Sequence, residues 1–405
     1  MSSILFLIDN FEGHIIPSFK LACSLKEKGH NVIYVSVVDL EKMVREQGFD
    51  FYPLFDDIYS QGFNRDYKNH ISSEVKYNQM VKTHLGKIMN GELDAIIKKV
   101  NPALIIVSVF LRMEAILLYY KYGIRPVILT TYLREPKQTF IEECVKVVVA
   151  LPGDAAIEIV EYIKGLGVRF SSLRELLQPA ATFQELIVCP KEFDMNDESA
   201  ASETGHYIGP SILQQRSIGD KPDFTKIKKG SKVIYASLGS FVLYREACGD
   251  FFKKMVQIMR DEKMNDFHLI LAVGLEFDVA ELHPIPENMT VMRWASQIDI
   301  LKIASLMVTH GGLGTIKECI YYGVPMIVIP LMYDQFRNAT LVDHHQVGIS
   351  KRLEDLSIDA LKAAILQVVN DEITMSNIKK MQSIFQEREA SQSGVEIIEH
   401  LLLKA

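Results

Sequence analysis

The chain has 405 residues, of which 48% are hydrophobic and 23% are charged, and its formal net charge is −7. This composition is typical of a globular protein with about two or three domains, and it excludes a disordered chain or a coiled coil. The acidic balance also argues against a nucleic-acid-binding protein, because such proteins usually present a basic face.

The five cysteines are scattered along the chain and include no C-x-x-C pair. We therefore expect neither a disulfide framework nor a zinc site, and a reducing cytoplasm fits best. The first apolar run, Ile4–Ile8, is too short for a signal peptide and is followed at once by Asp9. The longest apolar stretches are too short to cross a bilayer, so we expect no transmembrane segment.

Strands and helices are predicted to alternate along the first half of the chain. Continuous apolar runs indicate strands buried on both faces, and amphipathic segments between them indicate helices. The predicted strands are Ile4–Ile8, Val32–Val38, Ala103–Val109 and Val127–Thr130, and the predicted helices are Pro17–Lys28, Leu40–Gln47, Gly91–Val100 and Met113–Tyr122. This alternation is typical of a parallel sheet with helices on both faces.

The same alternation starts again in the second half. The predicted strands are Lys232–Ser237, His268–Val273, Met289–Arg293, Leu306–Val308 and Met326–Ile329, and the predicted helices are Asp250–Glu262, Ser296–Ala304 and Thr315–Tyr322. Between the halves, Tyr207–Phe224 is rich in glycine, proline and charge, which indicates a linker. The sequence therefore predicts two doubly wound α/β domains joined near residue 215.

Ligands of open α/β sheets bind at the carboxyl ends of the strands. Three loops lie at such ends: Asn10–Pro17, Leu238–Val242 and His310–Thr315. The last of these has the composition of an anion-binding site, because its glycines let the backbone bend and approach a ligand. Thr315 then places a hydroxyl and an amide at the start of a predicted helix. Glu318 lies one helical turn beyond this loop.

The segment Trp294–Asn338 resembles the nucleotide-sugar signature of the UDP-glycosyltransferase superfamily (glycosyltransferase family 1, GT-B fold). The spacing from His310 to Glu318 and on to Asp334-Gln335 matches that signature without a gap. Within this segment, W-A-S-Q at Trp294–Gln297 resembles the opening W-x-x-Q of the signature. Three further segments resemble family motifs: S-L-G-S at Ser237–Ser240, Y-I-G-P at Tyr207–Pro210, and G-H-I-I-P at Gly13–Pro17, which is most similar to bacterial antibiotic-type members.

The resemblance implies the GT-B fold, with two doubly wound Rossmann-like domains facing across a cleft. Residues 1–215 would bind the acceptor, residues 216–385 would bind the nucleotide sugar, and a C-terminal helix within residues 386–405 would cross back to the N-terminal domain. The implied reaction is an inverting, metal-independent transfer of a sugar, with glucose expected, from a UDP-sugar to a small lipophilic acceptor. The UDP-sugar would be a co-substrate, and no cofactor or metal is expected.

The resemblance also assigns the parts of the donor to residues of the second half. Trp294 and Gln297 are expected at the uracil, and Glu318 is expected at the ribose. Asp334 and Gln335 are expected at the sugar. The residues expected at the diphosphate are Ser240, His310, Gly312, Gly314 and Thr315. Each has a structural alternative, such as a core tryptophan, a solvated helix carboxylate or a turn-forming pair.

His14 is the candidate catalytic base, because an imidazole with an ordinary pKa of about 6.5 is suited to take a proton from an acceptor hydroxyl. In the family an aspartate after the fourth or fifth strand orients this histidine. Matching Pro102–Ser108 to the family's P-D-L-x-x-x-D puts Ala103 and Ser108 at the two aspartate positions. Ser108 is therefore the predicted partner, and Ser108→Asp is expected to strengthen the base. Alternative carboxylates are Glu12, Glu114 and Glu135.

The acceptor is predicted to lie against two variable loops, His70–Lys82 and Thr131–Leu177. Aromatic residues in and near them favour an apolar or aromatic acceptor, and they include Phe63, Tyr67, Tyr132 and Phe140. A phenol is favoured because its pKa of about 10 demands less of a base without a carboxylate partner.

Two other functions stay open, a different sugar-nucleotide enzyme of the same fold, such as a 2-epimerase, and a non-catalytic binding or activator protein. The retained G-H-x-x-P motif and the D-Q-x-x-N motif of the donor signature favour the transferase. The sequence defines no oligomeric state.

Overall fold

A computed structural model describes residues 1–64, 73–136, 138–151, 154–195, 204–216, 218–239 and 245–404, without the side chains of residues 245–247. The chain divides into two compact units. The first contains the described residues within 1–189, 196–211 and 391–405, and the second contains those within 190–195 and 212–390.

The first unit is built on a seven-stranded sheet in the order β3-β2-β1-β4-β5-β6-β7, and the paired strands are parallel. The strands are β1 (Ser3–Leu7), β2 (Asn31–Ser36), β3 (Asp50–Pro53), β4 (Leu104–Ser108), β5 (Val127–Thr130), β6 (Gln184–Ile187) and β7 (Gly205–Tyr207). The central strands are buried along almost their whole length, as their apolar runs require when both faces of a sheet are covered.

Helices connect these strands. They are α1 (Glu12–Ile15), α2 (Phe19–Glu27), α3 (Glu41–Glu46), α4 (Glu74–Met89), α5 (Asp94–Val100), α6 (Arg112–Tyr122), α7 (Phe140–Val149), α8 (Ala155–Gly165) and α9 (Leu173–Leu177). The strand order reverses between β1 and β4, which run side by side with Leu7 opposite Val107. The loops that follow these two strands therefore flank the position where such sheets bind ligands.

The second unit is built on a six-stranded parallel sheet in the order β10-β9-β8-β11-β12-β13. Its strands are β8 (Lys232–Ser237), β9 (Phe267–Ala272), β10 (Met289–Met292), β11 (Ala304–Thr309), β12 (Met326–Val328) and β13 (Gly348–Ser350). Its helices are α10 (Arg245–Met259), α11 (Gln297–Leu301), α12 (Leu313–Tyr322), α13 (Gln335–His344), α14 (Ile358–Asn370) and α15 (Glu372–Ala390). Here the order reverses between β8 and β11, so the loops after these strands occupy the equivalent position.

The last helix, α16 (Ser393–Lys404), follows α15 in the chain but belongs to the first unit. It packs on α2 through Gly394, where an added Cβ would come within 3.3 Å of Leu21. Glu399 also pairs with the buried His30. Among the helices that the structure describes, none combines the length and the apolar character needed to cross a membrane.

Candidate active site

His14 lies beyond the carboxyl end of β1, next to the point where the first sheet reverses its strand order. Its Nδ1 is 2.6 Å from Oδ1 of Asp9, which follows β1 directly after Ile8. Nδ1 must carry a hydrogen to donate to a carboxylate, so the neutral imidazole keeps its lone pair on Nε2. This is the tautomer that a general base needs if it accepts a proton through Nε2.

Asp9 is held in place on both oxygens. The Ser108 hydroxyl donates to Oδ2 at 2.5 Å, and the backbone N–H of Phe11 donates to Oδ1 at 3.2 Å. Burial raises the pKa of Asp9, but the charge of His14 and the hydrogen bonds from His14, Ser108 and Phe11 outweigh it and leave the pKa below its usual value. Asp9 is therefore a carboxylate at neutral pH, fixed beside the imidazole.

The His14 ring is also fixed by aromatic contacts. It stacks on Phe110 with the ring centroids 3.8 Å apart and an interplanar angle of 10°, and Phe11 meets it edge-on at 5.5 Å. Phe110 itself is 40% exposed and offers an apolar surface next to the imidazole. The side chain of His14 keeps 23% of its surface open, so the ring is oriented but accessible.

The partner of His14 predicted from the sequence is wrong. Ser108 donates its hydrogen bond to Asp9, and it is Asp9 that contacts the imidazole. The reason is the register of the sheet, since β1 and β4 are neighbours and the last residue of β4, Ser108, meets the residue just beyond the end of β1, Asp9. The carboxylate comes from the end of β1 instead of the end of β4. Glu114, one of the alternatives, pairs with His84 at 2.8 Å.

In the second unit, Gly239, which follows β8, and Gly312, which follows β11, lie against the ring of His310. An added Cβ on Gly239 would lie 2.6 Å from Cε1 of that ring, and one on Gly312 would lie 2.8 Å from Nε2. Both glycines are therefore needed for close approach to the imidazole, and Gly239 also has a φ of +86°. Burial lowers the pKa of His310 to about 4, so the ring is neutral at pH 7.

The helix that follows this loop, α12, begins at Leu313 with Gly312 as its N-cap. Glycine has no side chain to satisfy the first amide groups, and the first N–H groups of a helix have no acceptor within the helix. These groups and the helix dipole favour an anion at this end. An added Cβ on Gly314 would meet nothing within 4 Å, so packing does not require a glycine there.

Glu318 lies on α12 and is only 4% exposed. Both terminal nitrogens of Arg216 donate hydrogen bonds to the Glu318 carboxylate, Nη1 to Oε1 and Nη2 to Oε2, the second at 3.0 Å. The side-chain amide of Gln297 donates to Oε2 at 2.6 Å and to the hydroxyl of Thr315 at 3.4 Å. The structure thus brings together Gln297, Thr315 and Glu318, and it adds Arg216.

Trp294 is partly exposed, and the predicted linker holds it in place. An added Cβ on Gly219 would lie 2.7 Å from Cδ1 of the indole. The backbone of Asp220 bridges the same segment, because its N–H donates to the Trp294 carbonyl at 3.1 Å and its carbonyl accepts from Ser296 at 2.8 Å. The indole therefore has a fixed position beside the start of α11.

Asn338, which follows β12, forms a hydrogen bond to the loop between β11 and α12. Its amide nitrogen donates to the carbonyl of Gly311 at 3.0 Å and to Oδ2 of Asp334 at 2.9 Å. Gln335 uses its side-chain oxygen to accept from two backbone N–H groups of the preceding turn, at 2.8 and 3.0 Å. The amide nitrogen of Gln335 is therefore the part of this side chain suited to meet a ligand hydroxyl.

Comparison with known proteins relates the chain to glycosyltransferases. The family model for UDP-glucoronosyl and UDP-glucosyl transferase matches residues 275–393. A curated relative, the NDP-glycosyltransferase YjiC of Bacillus subtilis, is 26% identical over 398 residues, which cover 97% of this chain and 95% of the relative. The chain is a glycosyltransferase, and its residues 275–393 match the UDP-glycosyltransferase family.

Solved structures give the same fold for this glycosyltransferase. The glycotransferase of kitacinnamycin superposes with a TM-score of 0.78 at 21% identity, over 99% of each chain. The calicheamicin glycosyltransferase CalG4 superposes with a TM-score of 0.76 at 20% identity, over 99% of this chain and 98% of that one. The fold is GT-B, as the sequence predicted.

Two candidate site residues of the glycosyltransferase were missed by sequence reasoning, Asp9 and Arg216. Asp9 carried a signal, since an acidic residue directly after a buried strand lies at the ligand-binding edge of the sheet. Arg216 carried none, because it lies 102 residues before its partner Glu318 in a segment predicted to be a linker.

Some predicted residues take no part in an open site or lie outside the described residues. Phe63 and Phe140 are 2% and 8% exposed and belong to the core of the glycosyltransferase, so neither lines an accessible acceptor surface. Ser240 and Tyr67 lie outside the described residues. Within the described part of the chain, no three histidine, cysteine, aspartate or glutamate side chains are grouped as metal ligands.

Proposed function

We propose that this glycosyltransferase transfers a sugar, glucose, from a UDP-sugar to a hydroxyl of a small lipophilic natural product, with inversion and without a metal ion or other cofactor. The observation that carries the proposal is the His14–Asp9 pair at 2.6 Å, at the ligand-binding edge of the first sheet. The similarity to YjiC, an NDP-glycosyltransferase, and to the calicheamicin glycosyltransferase supports the donor and acceptor classes.

The first unit supplies the base. Nε2 of His14 takes the proton of the acceptor hydroxyl while the acceptor oxygen forms its bond to the anomeric carbon. The bond from that carbon to the diphosphate oxygen breaks, and UDP leaves with the electron pair. A single displacement of this kind inverts the anomeric configuration. Asp9 stays ionised and stabilises the imidazolium that forms.

The second unit supplies the leaving-group site. The uncapped amide groups at the start of α12 and the helix dipole offset the negative charge that develops on UDP. The neutral His310 donates an N–H to the diphosphate, and a bound diphosphate would raise its pKa from about 4 because an anion favours the imidazolium. Glu318 meets the ribose, and Trp294 offers a face to the uracil, with Gln297 near the edge of that ring.

The acceptor side is apolar beside the base. Phe110 is partly exposed against His14, which favours an acceptor with a flat or lipophilic surface next to its reacting hydroxyl. Because Asp9 provides the carboxylate that was not predicted from the sequence, the base does not depend on an acidic acceptor. Aliphatic alcohols are therefore substrates together with phenols.

The test is a transfer assay with the full chain, UDP-glucose and a panel of matched phenols and alkanols. We expect UDP release and a glucoside of β configuration, detected by mass spectrometry and by NMR of the anomeric proton. His14→Ala should lower turnover by about 10²–10⁴-fold. Binding of UDP without product across the panel contradicts the proposal and is the result expected of a binding protein. A changed UDP-sugar without any acceptor is the result expected of an epimerase.

A further inference from the structure

The contact between Arg216 and Glu318 limits what the carboxylate can bind. Both side chains are almost fully buried, at 9% and 6% exposure. An ionised carboxylate accepts about four hydrogen bonds, two on each oxygen. Arg216 takes one on each oxygen, and Gln297 takes the second on Oε2. With these three donors among the described residues, Glu318 keeps one acceptor direction, on Oε1.

Arg216 is held in this position by its own segment. The amide nitrogen of Gln214 donates to the hydroxyl of Tyr321, which lies one turn beyond Glu318 on the same helix. The backbone N–H of Arg216 donates to the carbonyl of Leu213 at 3.3 Å. The guanidinium therefore reaches Glu318 from a short segment that is itself fastened to α12, and it occupies the carboxylate before any ligand arrives.

We infer that Arg216 makes the donor site indifferent to the 2′-hydroxyl of the nucleotide, so that ribose and 2′-deoxyribose donors bind alike. This rests on the proposed role of Glu318 at the ribose. A ribose presents a 2′- and a 3′-hydroxyl, and a deoxyribose presents only the 3′-hydroxyl. With one acceptor direction left, Glu318 binds one hydroxyl, and the 3′-hydroxyl is present in both. The 2′-hydroxyl then gains no bond to the carboxylate.

This outcome differs from the one that Glu318 alone suggests. A carboxylate free on both oxygens accepts from both ribose hydroxyls and selects against deoxyribose. The difference is set by Arg216, which acts as a specificity-determining residue through Glu318. Removing the guanidinium frees one direction on each oxygen, and a second hydroxyl then becomes part of binding.

The experiment compares UDP with dUDP, which differ only in the 2′-hydroxyl, by calorimetric titration of the full chain. The variants are Arg216→Met, which removes the guanidinium, and Arg216→Lys, which keeps the charge but makes one contact. The control is Arg388→Met, because Arg388 forms an ion pair with Glu192 elsewhere in the second unit. Thermal unfolding checks that each variant is folded, and Arg216→Lys provides the folded comparison if Arg216→Met is unstable.

For the wild type and for Arg388→Met, we expect the dissociation constants of UDP and dUDP to differ by no more than about threefold. That difference is smaller than the effect of one hydrogen bond to a charged group. Arg216→Met should favour UDP by about tenfold or more, the effect of gaining such a bond, and Arg216→Lys should lie between. A wild type that already prefers UDP by this factor overturns the inference while leaving the proposed function intact. Equal weakening of both nucleotides in Arg216→Met also overturns it, because Arg216 would then contact a part common to both. Absence of UDP binding to the wild type refutes the proposed function and the inference together.

Discussion

Replacement of Asp9 by asparagine tests how far the chemical step depends on the charge beside His14. Asp9→Asn keeps the shape of the side chain and leaves an oxygen that can accept from Nδ1 of His14. The amide nitrogen then faces Ser108, whose hydroxyl can turn to accept a hydrogen bond instead of donating one. The variant therefore removes the negative charge and leaves the local packing in place.

The size of the effect follows from the geometry. In the transition state His14 becomes an imidazolium whose Nδ1 lies 2.6 Å from Oδ1 of Asp9, so the centres of charge are about 4 Å apart. At an effective dielectric constant of about 20, two unit charges at that separation attract by about 4 kcal/mol. If most of that charge has developed in the transition state, about 3–4 kcal/mol is lost, which lowers kcat by about 10²–10³-fold.

The assay is kcat with saturating UDP-glucose and one alkanol, for the wild type, Asp9→Asn and the control Asp50→Asn, which changes an exposed aspartate of β3. Retention of more than about a third of the wild-type kcat in Asp9→Asn would show that Asp9 serves packing and not the base.

Three further predictions follow from contacts of the site. Gly239→Ala should lower the midpoint of thermal unfolding more than the control Gly274→Ala. Both glycines have a positive φ, but only the Cβ added at Gly239 would overlap with His310, at a cost of about 1–3 kcal/mol. Equal losses in the two variants would contradict this prediction. Transfer should survive EDTA, and loss restored by Mn²⁺ or Mg²⁺ would contradict the leaving-group account. The wild type should have a higher free energy of unfolding than Asp9→Asn, and this difference should be constant above about pH 4 and shrink below it. The reason is that the pKa of Asp9 is lowered in the folded protein, so its stabilising charge is lost only as the pH falls. Denaturant titrations at several pH values measure the difference.

The sequence predicted the strands that form the middle of each sheet and the edge strand β10, and it missed β3, β6, β7 and β13. Predicted strands Val127–Thr130 and Lys232–Ser237 coincide with β5 and β8, because a strand buried on both faces is a continuous apolar run. The strands β7 and β13 have three residues each and are not part of a continuous apolar run, whereas the equally short β12 lies within the apolar run Met326–Ile329.

The candidate site was predictable where it depends on local motifs and not where it depends on tertiary contacts. The segment around His310 and Glu318 is one strand, one loop and one helix, so spacing alone places those residues near one another. The partners Asp9 and Arg216 depend on which strands are neighbours and on where a distant segment packs. A sequence pattern contains neither fact.

Ser108→Asp shows how the observed partner changes an expectation. From the sequence, a carboxylate at position 108 should strengthen the base. In the structure Ser108 Oγ lies 2.5 Å from Oδ2 of Asp9, so the new carboxylate would face an existing one in a buried site. Two carboxylates so close cannot both ionise, and one pKa of the pair rises. The negative charge available to His14 then grows little, while the hydrogen bond that orients Asp9 is replaced by repulsion.

We therefore expect Ser108→Asp to lower kcat for an alkanol and for a matched phenol alike. It should also lower the free energy of unfolding at pH 7.5 more than at pH 5, because a carboxyl with a raised pKa regains its proton as the pH falls and the repulsion is relieved. Ser108→Ala is the matched control, since it loses a hydrogen bond to a charged group, worth about 1.5–3 kcal/mol, without adding charge. Both quantities are measured on the same preparations. A rise in kcat for the alkanol in Ser108→Asp would mean that a carboxylate at the end of β4 acts on His14 directly. The pairing of His14 with Asp9 would then not be the arrangement in which the base works.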